Sequence, residues 1–173
     1  AGGDKEYPVD YSHLNIMGYA LGARSIDEAN PDKAIFPSVD TTTVYGHQHP
    51  VRMKMPIFTG ALGSTDIARK HWKSFAVGAA ISGISLVVGE NVCGIAPDLA
   101  LDSNGWVVRS PEMERRLKIY KDWQEDHGDI IVQLNVEDTR YGVDRYVVDK
   151  LGVETIELKW GQGAKCIGGE IKI

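Results

Sequence analysis

The densest chemistry in this 173-residue chain lies in the stretch TIELKWGQGAKCIGGEIKI, residues 155–173. Thr155–Lys159 is short, largely apolar and ends in a cation. Gly161, Gly163, Gly168 and Gly169 follow, with Gln162, Lys165 and Glu170 set among them. A strand fixes a charge in place, and glycines let backbone approach a ligand closely. α/β proteins commonly present chemistry in this way. The competing reading is a turn with a solvated lysine. Further polar residues stand at the ends of other apolar runs: Ser64 after Ile57–Gly60, Glu90 and Asn91 after Ser85–Val88, Gln133 and Asn135 at the end of Asp129–Leu134. Any one of them alone would more often be a loop cap or a solvent contact. Their recurrence at successive run ends is the physical argument for an enzyme.

The elements that must position these residues are legible from about Pro56 onward. Ile57–Gly60, Ser85–Val88, Asp129–Leu134 and Thr155–Lys159 read as strands with near-continuous apolar character. Between them, Ser64 or Thr65 can cap a helix running to Gly83. Pro111–Asp126 reads as a helix with proline near its start, and Val143–Leu151 as a short helix closed by Gly152. Strands alternating with helices imply parallel βα units buried on both faces. In open doubly wound sheets and in closed barrels alike, ligands bind at the C-terminal edge of such strands. Residues 1–55 are interrupted by Pro8, Pro31, Pro37 and Pro50 and carry no long period. Ser12–Ala23 suits a short helix, Ser25 with Glu28 suits a helix cap, and Val39–Val44 suits a strand. The expected organisation is an N-terminal extension over 1–55 and a βα domain over 56–173.

Composition narrows the partners. A net charge of −5 and a pI near 5.5 argue against a nucleic-acid groove and against an anionic membrane surface. Cys93 and Cys166 are too far apart for a zinc or iron–sulfur ligand set and too few for a disulfide framework. With no long apolar run and no leader-like start, the expectation is a soluble, cytoplasmic protein without bound metal. His47 and His49 read as solvent-facing, the cysteines as small buried thiols. Trp72, Trp106, Trp123 and Trp160 read as core or interface residues.

Three stretches resemble the FMN-binding barrel domain of glutamate synthases. VDTTTVYGHQHPVRMKMPIFTGALGST (Val39–Thr65) is similar to the family's lead-in and first barrel strand. IIVQLNVEDTRYGV (Ile130–Val143) is similar to its strand with an internal glutamine. IELKWGQGAKCIGGEI (Ile156–Ile171) is similar to its signature loop, with Glu157, Lys159, Gln162, Gly163, Ala164, Lys165, Gly168 and Gly169 in step. The interval between Lys165 and the glycine pair is short, as in the compact archaeal-type and N-methylglutamate synthase-like members.

The resemblance implies an α/β fold, the first half of a (β/α)8 TIM-type barrel with an irregular N-terminal extension. It implies FMN as cofactor, held through Gly60, Ala61, Leu62, Ser64, Glu90, Asn91, Gln133 and Lys159. Lys159 is expected near the N1/O2 edge of the flavin, where a fixed cation stabilises the reduced anion. Gln162 and Lys165 are expected to join Lys159 in catalysis by holding a 2-oxo acid. The implied reaction joins 2-oxoglutarate and ammonia as 2-iminoglutarate and reduces that to L-glutamate. The alternatives are an N-methylglutamate synthase-like amine transfer and a non-catalytic half-barrel assembly subunit. Expected partners are the remainder of the barrel, an ammonia supplier and an electron donor. The ligands of the family's iron–sulfur cluster are not in this chain.

Overall fold

The computed structural model describes His13 and residues 40–159. The chain divides into two compact units, Ala1–Asp40 and Thr41–Ile173. Residues 41–55, counted with the N-terminal extension in the sequence reading, form an antiparallel hairpin of β1 (Thr43–Tyr45) and β2 (Val51–Met53) within the second unit.

Helix α1, Asp66–Ser82, starts where extended Thr65 accepts the Ala68 N–H on its hydroxyl. It stops at Gly83, whose left-handed backbone (φ 66°) carries its N–H to the carbonyls of Ala79 and Ala80. Its buried stripe is Ala68, Trp72, Ala76, Ala79 and Ala80, in which four alanines let the helix lie close to its neighbours around one bulky tryptophan. Strand β3 (Leu86–Val88) follows. A short hairpin of β4 (Ala100–Leu101) and β5 (Val107–Arg109) then leads to α2, Pro111–Lys121. Ser110 caps α2 and proline occupies its first turn. The helix is shorter than the expected Pro111–Asp126. Asp122 closes it, and the following residues turn at Gly128 (φ 76°) to deliver Asp129 to the next strand.

Strand β6 (Ile130–Leu134) is buried along its whole length. Helices α3 (Val136–Arg140) and α4 (Val143–Arg145) come next, and α4 runs into a π-helical turn at Tyr146–Lys150. The expected single helix over Val143–Leu151 is thus one α-turn and one π-turn. Strand β7 is Ile156–Leu158.

β3, β6 and β7 form a parallel sheet in that order. The stretch expected as the strand Ile57–Gly60 touches the other side of β3 through one parallel bridge, Phe58 to Ser85, and a second bridge, Leu62 to Val88, falls just beyond it. A continuous ladder is missing there because Thr59 turns its hydroxyl, not its carbonyl, to the Val87 N–H. The fold of the described residues is α/β, and neighbours in the parallel array follow chain order. Leu86, Val88, Ile130, Val132 and Leu134 pack on one face with Trp72, Met113, Leu117 and Tyr120 of the helices to make the core. The alternate positions, among them Ile131, Gln133, Glu157 and Lys159, belong to the opposite face. No helix among the described residues is long and apolar enough to cross a membrane.

Candidate functional site

Parallel strands place their C-terminal ends on one edge, so the residues that follow β3, β6 and β7 become neighbours although they are far apart in sequence. Lys159 is still held by the ladder, its N–H donating to the Leu134 carbonyl at 2.8 Å. Its Nζ then reaches across to Glu90 Oε1 at 2.6 Å. Side-chain exposures of 31% for Lys159 and 17% for Glu90 make this a half-buried pair, less screened by solvent than a surface bridge. Gln133 stands opposite Glu157 in the parallel register, and its Nε2 donates to Glu157 Oε1 at 2.6 Å. Glu157 and Lys159 are two positions apart, so strand alternation gives them the same face.

Beside these pairs, Asn91 adopts φ 65°, a left-handed conformation that asparagine tolerates better than most residues. Its N–H donates to Asp138 Oδ2 at 3.1 Å, and its side-chain oxygen accepts from Asn135 Nδ2 at 2.8 Å. Asn135 and Asp138 complete a reciprocal cap at the start of α3. Burial pushes the Asp138 carboxyl above its ordinary range, opposed by the N–H groups of Asn91 and Asn135 and reinforced by the charges of Glu90 and Glu137. Asp138 is a site residue that the sequence reading missed; the Asn-x-x-Asp spacing at 135–138 was its signal.

Of the residues expected to hold a flavin, Glu90, Asn91, Gln133 and Lys159 come together in this way. Gly60 and Ala61 are exposed, and a Cβ built on Gly60 meets nothing within 4 Å. The Leu62 N–H bonds the Val87 carbonyl, and the Leu62 carbonyl accepts the Gly89 N–H. Gly63 has a packing role: a Cβ on Gly89 would stand 2.5 Å from the Gly63 nitrogen, so the two loops touch backbone to backbone. Ser64 is half-buried and lines a different cleft of about 640 Å³, shared with Asp66, Arg69, Ile95, Asp98 and Arg115 among others. Gln162 and Lys165, with Trp160 and Cys166, lie outside the described residues.

The remaining candidates resolve simply. His47 and His49 are exposed. Cys93 is fully buried, and burial pushes its thiol up to about 11, which suits an inert packing residue. Trp72 is fully buried in the core, whereas Trp106 is partly exposed with the Arg145 guanidinium stacked 4.3 Å from its ring centroid. Trp123 is half exposed.

In comparisons with known proteins, no family model, no curated protein and no solved structure matches the chain.

Proposed function

We propose that this chain is an FMN-dependent oxidoreductase of the glutamate synthase type, built on the first half of a (β/α)8 barrel. The observation that carries the reading is the meeting of Glu90, Gln133 and Lys159 at the C-terminal edge of adjacent parallel strands. The half-barrel part is supported by strand order. Neighbours follow chain order from the Phe58–Leu62 stretch through β3 and β6 to β7, without the reversal that defines the binding crevice of a doubly wound sheet.

The residues fit a flavin. The backbone at Gly60 is exposed, with nothing within 4 Å of a built Cβ, and Gln133 carries an amide of the kind that bonds a pyrimidine edge. Lys159 supplies a cation held in place by its strand. Glu90 orients that cation and offsets part of its charge, so it is a positioning residue as well as a candidate contact. Bound FMN would supply the hydride that turns 2-iminoglutarate, formed from 2-oxoglutarate and ammonia, into L-glutamate. Gln162 and Lys165 are assigned to the carboxylates of the 2-oxo acid. The reading calls for the remainder of the barrel, an ammonia supplier and an electron donor as partners, and for a cytoplasmic location.

Titration of the chain with FMN tests this directly. Saturable quenching of flavin fluorescence is expected, followed by glutamate formation from 2-oxoglutarate and ammonium once the flavin is reduced and the partner half is supplied. Absence of saturable quenching would remove the oxidoreductase reading. N-Methylglutamate as the preferred product, with methylamine in competition, would move it to the amine-transfer alternative.

A further inference from the structure

Helix α2 buries Met113, Leu117 and Tyr120, as an amphipathic helix should, but the same stripe also buries Arg116, which is only 1% exposed. Sequestering a guanidinium costs several kcal/mol before its partners are counted, and an apolar side chain of similar volume often serves a core as well. The arginine therefore calls for a reason, and its hydrogen bonds supply one. Nε donates to Glu112 Oε1 at 2.7 Å, while Nη1 donates to two successive carbonyls, Leu62 at 3.0 Å and Gly63 at 2.8 Å. The guanidinium lies 4.7 Å from the centroid of the Trp72 ring, and the Trp72 indole N–H returns a bond to the Arg116 carbonyl.

Those two carbonyls are where the first loop meets the second. Leu62 O also accepts the Gly89 N–H, and the Gly63 backbone rests on Gly89 and on the Glu90 carbonyl. Glu90 in turn holds Lys159. A contiguous set of contacts thus leads from Arg116 through Leu62 and Gly63 to Gly89 and Glu90, and ends at the Lys159 ammonium.

We propose that Arg116 is the positioning residue of the strand-edge site, fixing the Gly60–Ser64 loop against the Glu90–Lys159 pair through the Leu62 and Gly63 carbonyls. The inference rests on the flavin reading for the identity of the ligand, but not for the contacts themselves. Lysine cannot reproduce the role fully, because an ammonium lacks the planar fork that spans two carbonyls and a carboxylate at once.

The test compares wild type with Arg116→Lys and Arg116→Met in two measurements. Amide hydrogen exchange is followed at Leu62 and Gly89, with the interior of α1 as the internal reference, and FMN affinity is read by fluorescence quenching. The expected result is faster exchange at Leu62 and Gly89 relative to α1 in both variants. FMN affinity should weaken at least about tenfold in Arg116→Met and less in Arg116→Lys. Exchange that rises equally along α1, or FMN affinity at the wild-type value in a folded variant, overturns the proposal. If Arg116→Met does not fold, Arg116→Lys and Glu112→Gln, which keeps the guanidinium but removes its fixing charge, carry both readouts. Failure of wild type itself to bind FMN would reject the oxidoreductase reading, and the exchange pattern would still decide the positioning role.

Discussion

The two edges of the parallel sheet carry similar residues in opposite circumstances. At the N-terminal edge, Ser85 is fully buried; its hydroxyl accepts the Asp129 N–H at 3.1 Å and lies 3.1 Å from the Tyr45 hydroxyl. Asp129 accepts from the Thr155 hydroxyl at 2.6 Å. The β1–β2 hairpin attaches at this edge through Gly128 N–H to Arg52 O and Lys54 N–H to Gly83 O. At the C-terminal edge, Glu90 and Lys159 are half-buried, while Gln133 is buried within β6 with its amide on Glu157. A serine and an aspartate under a hairpin, with a tyrosine from the hairpin itself, are there to satisfy one another. A lysine and a glutamate that are only half-buried remain within reach of a ligand. Polar residue type alone does not distinguish the edges; what lies over them does.

Replacing Lys159 by Met attacks the open edge and carries the largest expected effect. The midpoint potential of bound FMN should fall, and turnover should lose about 2–4 kcal/mol of transition-state stabilisation. The melting free energy should change by about 1 kcal/mol or less, since the pair is only half-buried. Unchanged potential and turnover would dissolve the functional contrast between the edges. Ser85→Ala attacks the closed edge. Stranding the partners of its hydroxyl should cost about 1–3 kcal/mol in a denaturant melt while FMN affinity stays at the wild-type value. A loss of affinity in the folded protein would show that the edges are coupled.

Asp129 gives a subtler test through pH. Burial raises its carboxyl above the ordinary range, opposed by the Thr155 hydroxyl and the Ile130 N–H and reinforced by the charge of Glu154. The folded state therefore favours the protonated acid. Its contribution is fully present below the unfolded value of about 3.9 and is lost as pH rises through the higher folded value. Asn at this position stays neutral, so Asp129→Asn should gain in melting temperature relative to wild type as pH is raised from acid toward neutral. A difference that is flat with pH would mean the carboxyl is not perturbed by its closed surroundings.

The sequence told the open edge more readily than the closed one, for a physical reason. Glu90, Asn91, Gln133 and Lys159 each end an apolar run, and run ends are local features. The Thr65 and Gly83 boundaries of α1 were equally legible, because caps are local chemistry. Ser85 and Asp129 acquire their roles only from Tyr45 and Thr155, which are distant in sequence, and no spacing announces such a cluster. Arg116 escaped for the same reason: in a run of charges at 114–116 it reads as a solvated face, and only tertiary contact with Leu62 and Gly63 reveals it as buried. The β4–β5 hairpin was missed although Asn104 and Gly105 mark its turn, because its strands are very short.

The chain-ordered neighbours in the parallel array bear on how the molecule is assembled. Each new strand docks on the one made just before it, as β6 does on β3 and β7 on β6. No strand in this array waits for a partner that would have to be threaded between two earlier ones. The loop-closure entropy of each step is that of one βα unit and does not accumulate with the number of units. Folding can therefore advance in the direction of synthesis, with β3 and α1 serving as the surface on which α2 and β6 settle.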